Sequence, residues 1–201
     1  MTVQQLNSRF EKVIDELTGD SLGNIMIGIG LEARRMIYDR VHGTGSNAEG
    51  QKYTPYSTKS MLSGCANLNS AVCERLIGSK NKRSEKKWVT LDKLNKVGKK
   101  IRLFEIPGGY NELRELHGRQ TGFVDFAFTN RMWNNIKLKQ DRMNLNRGIA
   151  IIGTTEQTEQ DKLAGNTKRR GEILKLSQAE ITELSGKLDS KIQEIFKRNE
   201  L

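Results

Sequence analysis

Histidine and cysteine are common zinc ligands, and this chain has two of each. His42 and His117 lie on either side of Cys65 and Cys73, which are eight positions apart. Structural zinc sites place their ligands in short, paired spacings, and these four residues follow no such spacing. We therefore predict no metal site. A single cysteine pair is also no disulfide scaffold in a chain of this length, so we expect both cysteines to be reduced thiols.

Two further patterns could suggest an enzyme. Glu112 and Glu115 lie three residues apart beside Arg114 in a short predicted helix, which is more typical of an exposed helix face than of an acid/base pair. The loop from His42 to Gly50 is rich in glycine, but it follows a helix and lacks Gly-Lys-Ser/Thr, whereas phosphate-binding loops follow a strand. The sequence therefore predicts neither a catalytic site nor a cofactor.

The strongest chemical signal is a concentration of positive charge between Lys80 and Arg102. This window has ten Lys or Arg residues against Glu85 and Asp92, so it carries +8 of the chain's net charge of +10. Such a window attracts phosphate backbones, acidic protein surfaces or anionic membranes, although a solubilising lysine-rich loop has the same composition. The predicted partner-binding residues are Lys80, Lys82, Arg83, Lys86, Lys87, Lys99, Lys100 and Arg102.

Length and composition suit one domain of ordinary size with little core. The chain has 201 residues, of which 35% are hydrophobic and 29% charged, so its apolar share is lower than usual for a globular domain. We infer that part of the chain gains its order from a partner. No apolar run reaches the ~20 residues that cross a bilayer, and the first residues lack the features of a secretion signal. We therefore expect a soluble protein with no membrane partner.

Hydrophobic spacing predicts helices at both ends of the chain and strands between them. The helices are expected from Val3 to about Gly19, from Ser21 to Val41, from about Thr58, from Tyr110 to Leu116, from Thr154 or Thr155 to Gly165, and from Ser177 to about Arg198. The strands are expected at Trp88–Leu91, Ile101–Ile106 and Phe123–Phe128, with a hairpin of Asn135–Lys139 and Ile149–Gly153. Turns or loops are expected at 129–133, 141–148 and 166–171.

This order predicts an α+β fold, in which a small antiparallel sheet packs with the N- and C-terminal helices. We expect a single domain over residues 1–201, with 63–107 as an extended basic insertion or arm. The stretch from Gly108 to Ile136 is the best candidate for the centre of the core, because four of the chain's few aromatics lie between Phe123 and Trp133. The predicted assembly and core residues are Tyr53, Tyr56, Phe123, Phe126, Met132 and Trp133.

The order of short motifs resembles that of a known group. A loop leads to Tyr53-Thr54-Pro55-Tyr56-Ser57, and the basic window comes next. A helix then begins at Gly108-Gly109-Tyr110 and ends at Gly118. The chain continues with Val124-Asp125-Phe126 and Thr129-Asn130-Arg131-Met132, and a hairpin and a final helix follow. This arrangement resembles the small neck proteins of tailed bacteriophages, the head–tail connector or tail-completion (virion morphogenesis) group. It covers residues 50–152 and, more loosely, the last helix. Asn130 departs from the group's pattern, which has glycine after the threonine.

The resemblance implies a structural virion protein, made in the host cytoplasm, that forms a homo-oligomeric ring between portal and tail without enzymatic activity. Its partners would be further copies of itself, the portal and other neck or tail proteins, with DNA passing through the channel. We prefer an acidic protein surface as the target of the basic window, because a strongly basic lumen would retain moving DNA. The alternative is a nucleic-acid-binding protein that uses residues 80–102 and whose affinity falls steeply with salt.

Overall fold

The computed structural model describes residues 3–64, 88–94, 100–126, 130–139 and 141–200. These residues form seven helices: α1 (Val3–Glu16), α2 (Gly19–Thr44), α3 (Gly109–Leu116), α4 (Arg131–Asn135), α5 (Arg142–Leu145), α6 (Gln157–Arg170) and α7 (Gln178–Arg198). They also form five strands: β1 (Met61–Ser63), β2 (Trp88–Leu94), β3 (Lys100–Ile106), β4 (Lys137–Lys139) and β5 (Ile151–Gly153). The expected α+β class is confirmed.

The chain divides into two compact units. Unit 1 consists of Met1–Tyr53 and Asp125–Leu201, and unit 2 consists of Thr54–Val124. The aromatic stretch that was expected to form one core is therefore shared between the units, since Val124 ends one and Asp125 resumes the other. The assignment of residues 63–107 as an insertion within a single domain stays a prediction, because most of residues 65–99 lie outside the described part of the chain.

Unit 1 is built on the long helix α2, which packs against α7, α1, α5 and the β4–β5 pair. Ala33 and Met36 of α2 and Leu184 of α7 form a buried cluster. The predicted capping box begins α7: the Ser177 side chain accepts a hydrogen bond from the Glu180 amide at 3.2 Å, and the Glu180 carboxylate accepts one from the Ser177 amide at 2.7 Å. These two bonds satisfy amides that the helix itself leaves unpaired.

The N- and C-terminal helices pack together, as expected. At the end of α7, Arg198 forms an ion pair with Glu16 of α1, and the Asn199 side chain donates to the same carboxylate at 3.2 Å. In addition, the Arg9 guanidinium of α1 donates a hydrogen bond to the backbone carbonyl of Glu200, which follows α7, at 3.0 Å. These contacts are mostly exposed, so they set the position of α1 more than they stabilise it.

The predicted hairpin is confirmed and lies directly on α2. Strands β4 and β5 are antiparallel, with Leu138 opposite Ile152. A Cβ atom on Gly30 of α2 would come within 2.6 Å of a Leu138 methyl group and 3.1 Å of Ala150. The missing side chain of Gly30 therefore allows the hairpin to approach the helix closely.

Unit 2 contains a three-stranded antiparallel sheet in the order β1-β3-β2, and helix α3 packs against β3. The two longer strands, β2 and β3, were predicted from the sequence. In the short strand β1, Met61 pairs with Ile106 of β3. Gly109 begins α3 at a φ of +66°, where a Cβ would approach the Ser57 carbonyl oxygen to 2.8 Å. Only glycine combines that backbone conformation with such a close approach.

Three predictions about local structure were wrong. The chain after Thr58 is extended and leads into β1, because residues 61–63 pair with β3 rather than with their own backbone. No strand forms at residues 123–126, where Phe126 has a φ of +55° and the Asp125 carbonyl accepts a bond from the Trp133 indole at 3.0 Å. Helix α6 continues past Gly165 to Arg170, and its last turn contains the residues expected to form a basic loop.

Helix α4 replaces the predicted turn before β4. Asn130 precedes it at a φ of +57°, in the left-handed region that glycine and asparagine adopt most readily. Asparagine can therefore stand where the resembled group has glycine. The turn at residues 141–148 also contains one short helix, α5, whose start is held by Asp141 accepting from the Met143 amide at 3.1 Å.

We predict opposite effects for two alanine substitutions on α2. Gly30→Ala introduces a clash with Leu138 and should destabilise the protein by about 1–3 kcal/mol, the usual cost of overpacking. Gly28→Ala, where a Cβ would meet nothing within 4 Å, should instead stabilise the helix by about 0.5–1 kcal/mol. Denaturant unfolding of both variants checks this pair, and equal effects of the two substitutions would contradict the packing of the hairpin on Gly30.

Candidate interaction surface

Most of the predicted partner-binding residues lie outside the described part of the chain. This applies to Lys80, Lys82, Arg83, Lys86, Lys87 and Lys99, and to the cysteines Cys65 and Cys73. Lys100 and Arg102 belong to β3, whose backbone the structure places next to β2 and β1. The role of the basic window therefore stays a prediction.

The aromatics predicted in unit 1 are packing residues. Tyr53 and Trp133 are buried and Phe126 is half-buried. The Tyr53 and Phe126 rings meet edge to face with centroids 4.9 Å apart, and Met132 is buried next to Trp133 in the sequence. Burial raises the pKa of the Tyr53 hydroxyl. Rings held in this way do not offer a face on which a nucleic-acid base could stack.

A second aromatic group in unit 1 includes one of the two histidines. The His42 ring stacks on Tyr38 with centroids 3.9 Å apart and meets the Trp133 ring edge-on at 5.1 Å. Among the described residues, no group of three or more His, Cys, Asp or Glu side chains is placed to hold a metal ion. His42 therefore packs from α2 against Trp133 of α4.

In unit 2 the predicted residue Tyr56 packs against a buried arginine. The Arg114 guanidinium lies over the Tyr56 ring at 4.4 Å and donates to the Gln120 carbonyl at 3.0 Å. Phe123 is half-buried, and its backbone carbonyl accepts a hydrogen bond from the side-chain amide of Gln120 at 2.7 Å. Glu112 is used locally, because its carboxylate accepts from the Gly108 amide at 2.6 Å.

An open groove lies between α2 and α7 in unit 1, and we call it the α2/α7 groove. Its volume is about 720 Å³, and its lining is mostly apolar around Ile25 and Ile29. Gly28 on one helix and Gly186 on the other both face open space, since a Cβ on either would meet nothing within 4 Å. Each helix therefore lacks a side chain at a position that lines the groove.

The edge of the groove carries a network of charges. The Arg35 guanidinium donates to Glu32 at 2.8 and 2.9 Å, Lys187 of α7 also contacts Glu32, and Lys187 lies 2.8 Å from Glu183. The hydrogen bonds from Arg35, followed by those from Lys187, lower the pKa of Glu32 from 4.5 to about 2. This network links α2 to α7 beside an apolar opening.

A second uncovered apolar surface lies on α1, and we call it the α1 face. Phe10 is 47% exposed and Ile14 is 58% exposed, although they are one helical turn apart on the predicted apolar stripe. Val13 is the one fully buried side chain among the described residues of this helix. The apolar spacing of α1 is visible in the sequence. The sequence did not predict that this side of the helix is partly exposed, and it did not predict the α2/α7 groove.

Comparison of the chain with protein-family models, with curated proteins and with solved structures finds no match. Within the described residues, no helix has both the length and the apolar character needed to cross a membrane.

The charge network predicts a pH-dependent contribution of Glu32 to stability. Because the folded-state pKa is lowered to about 2, the contribution is fully present above pH 4.5 and is lost as the pH falls toward 2. Glu32→Gln should therefore lower the free energy of unfolding at pH 7, and the difference from the wild type should shrink at pH 2–3. Denaturant titrations at several pH values measure this, with the exposed residue Glu115 of α3, replaced as Glu115→Gln, as control. A difference that does not change with pH would contradict the network.

Proposed function

We propose that this protein is a structural virion protein of a tailed phage that forms part of a ring at the head–tail junction. The observation that carries the proposal is that unit 1 leaves two apolar surfaces uncovered, the α1 face and the α2/α7 groove. Contiguous exposed apolar surface on a folded chain marks interaction sites. The motif order that resembles phage neck proteins is what favours a head–tail ring as the assembly.

A ring requires two different surfaces on each subunit. Head-to-tail contacts join one patch to another patch of the next copy, and they close into a ring when the rotation allows it. The α1 face and the groove are two such patches on one chain. The low apolar content of the whole sequence fits a protein that completes part of its packing with neighbours.

The proposed partners are further copies of this chain, the portal and other neck or tail proteins. The basic window at residues 80–102, with its charge of +8, would meet an acidic surface of a partner ring, and DNA would pass through the channel. In this proposal the protein is located in the neck of the virion and performs no catalysis. The groove serves protein contact, since its walls are mostly apolar and its charged groups form ion pairs with side chains of α2 and α7.

The proposal predicts a defined oligomer, alone or with a portal ring. Light scattering of the purified chain, with and without portal complexes, should show a closed ring mass or stable co-migration with the portal. Because an acidic docking surface would attract the basic window, replacing Lys82, Arg83, Lys86 and Lys87 by glutamine should weaken portal co-migration.

A chain that stays monomeric and ignores the portal would contradict the neck assignment. If that monomer bound duplex DNA at low salt, and the four glutamine substitutions removed the binding, the nucleic-acid-binding alternative would replace it.

A further inference from the structure

We infer that helix α1 of one copy docks into the α2/α7 groove of a second copy, with Phe10 and Ile14 as the inserted side chains. This inference rests on the proposed ring and specifies the contact that joins its subunits. Placing an amphipathic helix in an apolar groove is a common mode of recognition, with anchors at positions i and i+4. Phe10 and Ile14 have that spacing.

The groove has room for these two side chains. Its volume of about 720 Å³ lies in the range of about 300–1,000 Å³ typical of ligand pockets. Gly28 and Gly186 leave an opening in each wall, so the backbone of an incoming helix can approach closely. Ile25 and Ile29 provide the apolar surface against which an aromatic and a branched side chain would pack.

The charged residues beside the two surfaces share a spacing. Glu11 and Asp15 follow Phe10 and Ile14 directly, so an acidic row four residues apart borders the α1 face. On the groove, Lys187 and Lys191 have the same spacing along α7, and in a single copy they pair with Glu32, Glu183 and Glu194 of their own chain. Docking exchanges part of these exposed pairs for pairs with Glu11 and Asp15, which fixes the orientation of α1 more than it adds affinity.

The state of α1 in a single copy explains why it would bind a neighbour. A helix of 14 residues is marginal on its own in water, and its own chain fully buries only Val13 among its described side chains. Its remaining apolar edge lies beside the acidic row and faces solvent. Because the α1 face and the groove are different surfaces, each copy can bind one neighbour through α1 and another through the groove, so the contact can repeat from subunit to subunit.

The test fills the groove without weakening the fold. Gly28→Leu and Gly186→Leu place side chains in open space and replace helix glycines, so each variant should be at least as stable as the wild type. Both should raise the concentration needed for assembly by about tenfold or more, as expected when the centre of an interface is blocked. Gly43→Leu, on the same helix and also with open space around it, is the matched control and should assemble normally.

A second measurement identifies the two partners directly. In a background with Cys65→Ser and Cys73→Ser, Asp15→Cys and Lys191→Cys are made in separate chains and mixed under mild oxidation, so that Phe10, Ile14 and both groove glycines stay in place. The account predicts disulfide-linked heterodimers from this mixture, and none when Lys191→Cys is replaced by Thr158→Cys on the exposed surface of α6.

The outcomes separate this inference from the proposed function. Rings that persist with both leucine variants, without the disulfide, would overturn the docking of α1 but leave the neck assignment intact. Oligomers that depend on the groove but never associate with a portal would support the docking and contradict the neck assignment. A wild-type chain that remains monomeric, alone and with portal, would overturn both.

Discussion

The packing of α2 against α7 is the contact on which the rest of unit 1 depends. Ala33, Met36 and Leu184 bury apolar surface between helices that are far apart in sequence. At one end of this contact, Arg40 forms a half-buried ion pair with Glu180, the residue that also completes the α7 capping box. One carboxylate therefore starts the helix and fixes its position on α2. The hairpin, α5 and α1 are then added to the surfaces of α2 that remain.

The same contact opens toward the other end of the helices. On α7, Gly186 lies two residues after Leu184, and on α2, Gly28 lies five residues before Ala33. Because these glycines have no side chains to close the space between the helices, the groove begins there. The charges around Glu32 hold the two helices together at this point without filling it. Helix α1 also packs on α2 and α7, where it buries Val13 and forms exposed polar contacts with the end of α7. An open groove between two helices and a partly exposed apolar side of α1 are the features of this chain that a neighbouring copy would cover in the proposed ring.

The sequence was most informative where a local signal and the tertiary packing agree. The capping box at Ser177 predicted α7, and the alternation at Asn135–Lys139 followed by the apolar run Ile149–Gly153 predicted the hairpin, because each pattern is completed by neighbours close in sequence. The failures have non-local causes. Phe126 lies in a left-handed conformation, and the neighbouring Asp125 carbonyl accepts a bond from the Trp133 indole. No periodicity reveals such a bond. Likewise, an apolar stripe on α1 predicts a helix but does not say which half of it is covered.

Hydrogen exchange in α1, measured at concentrations below and above assembly, tests the central claim most directly. If a neighbouring copy completes the packing of α1, the amides of Val3–Glu16 exchange fast in the dilute monomer and slow markedly on assembly. The amides of residues 24–32 should slow with them, whereas those near Leu184 should be protected at all concentrations. Full protection of α1 in the dilute monomer, or fast exchange of α1 in the assembled protein, would contradict the account.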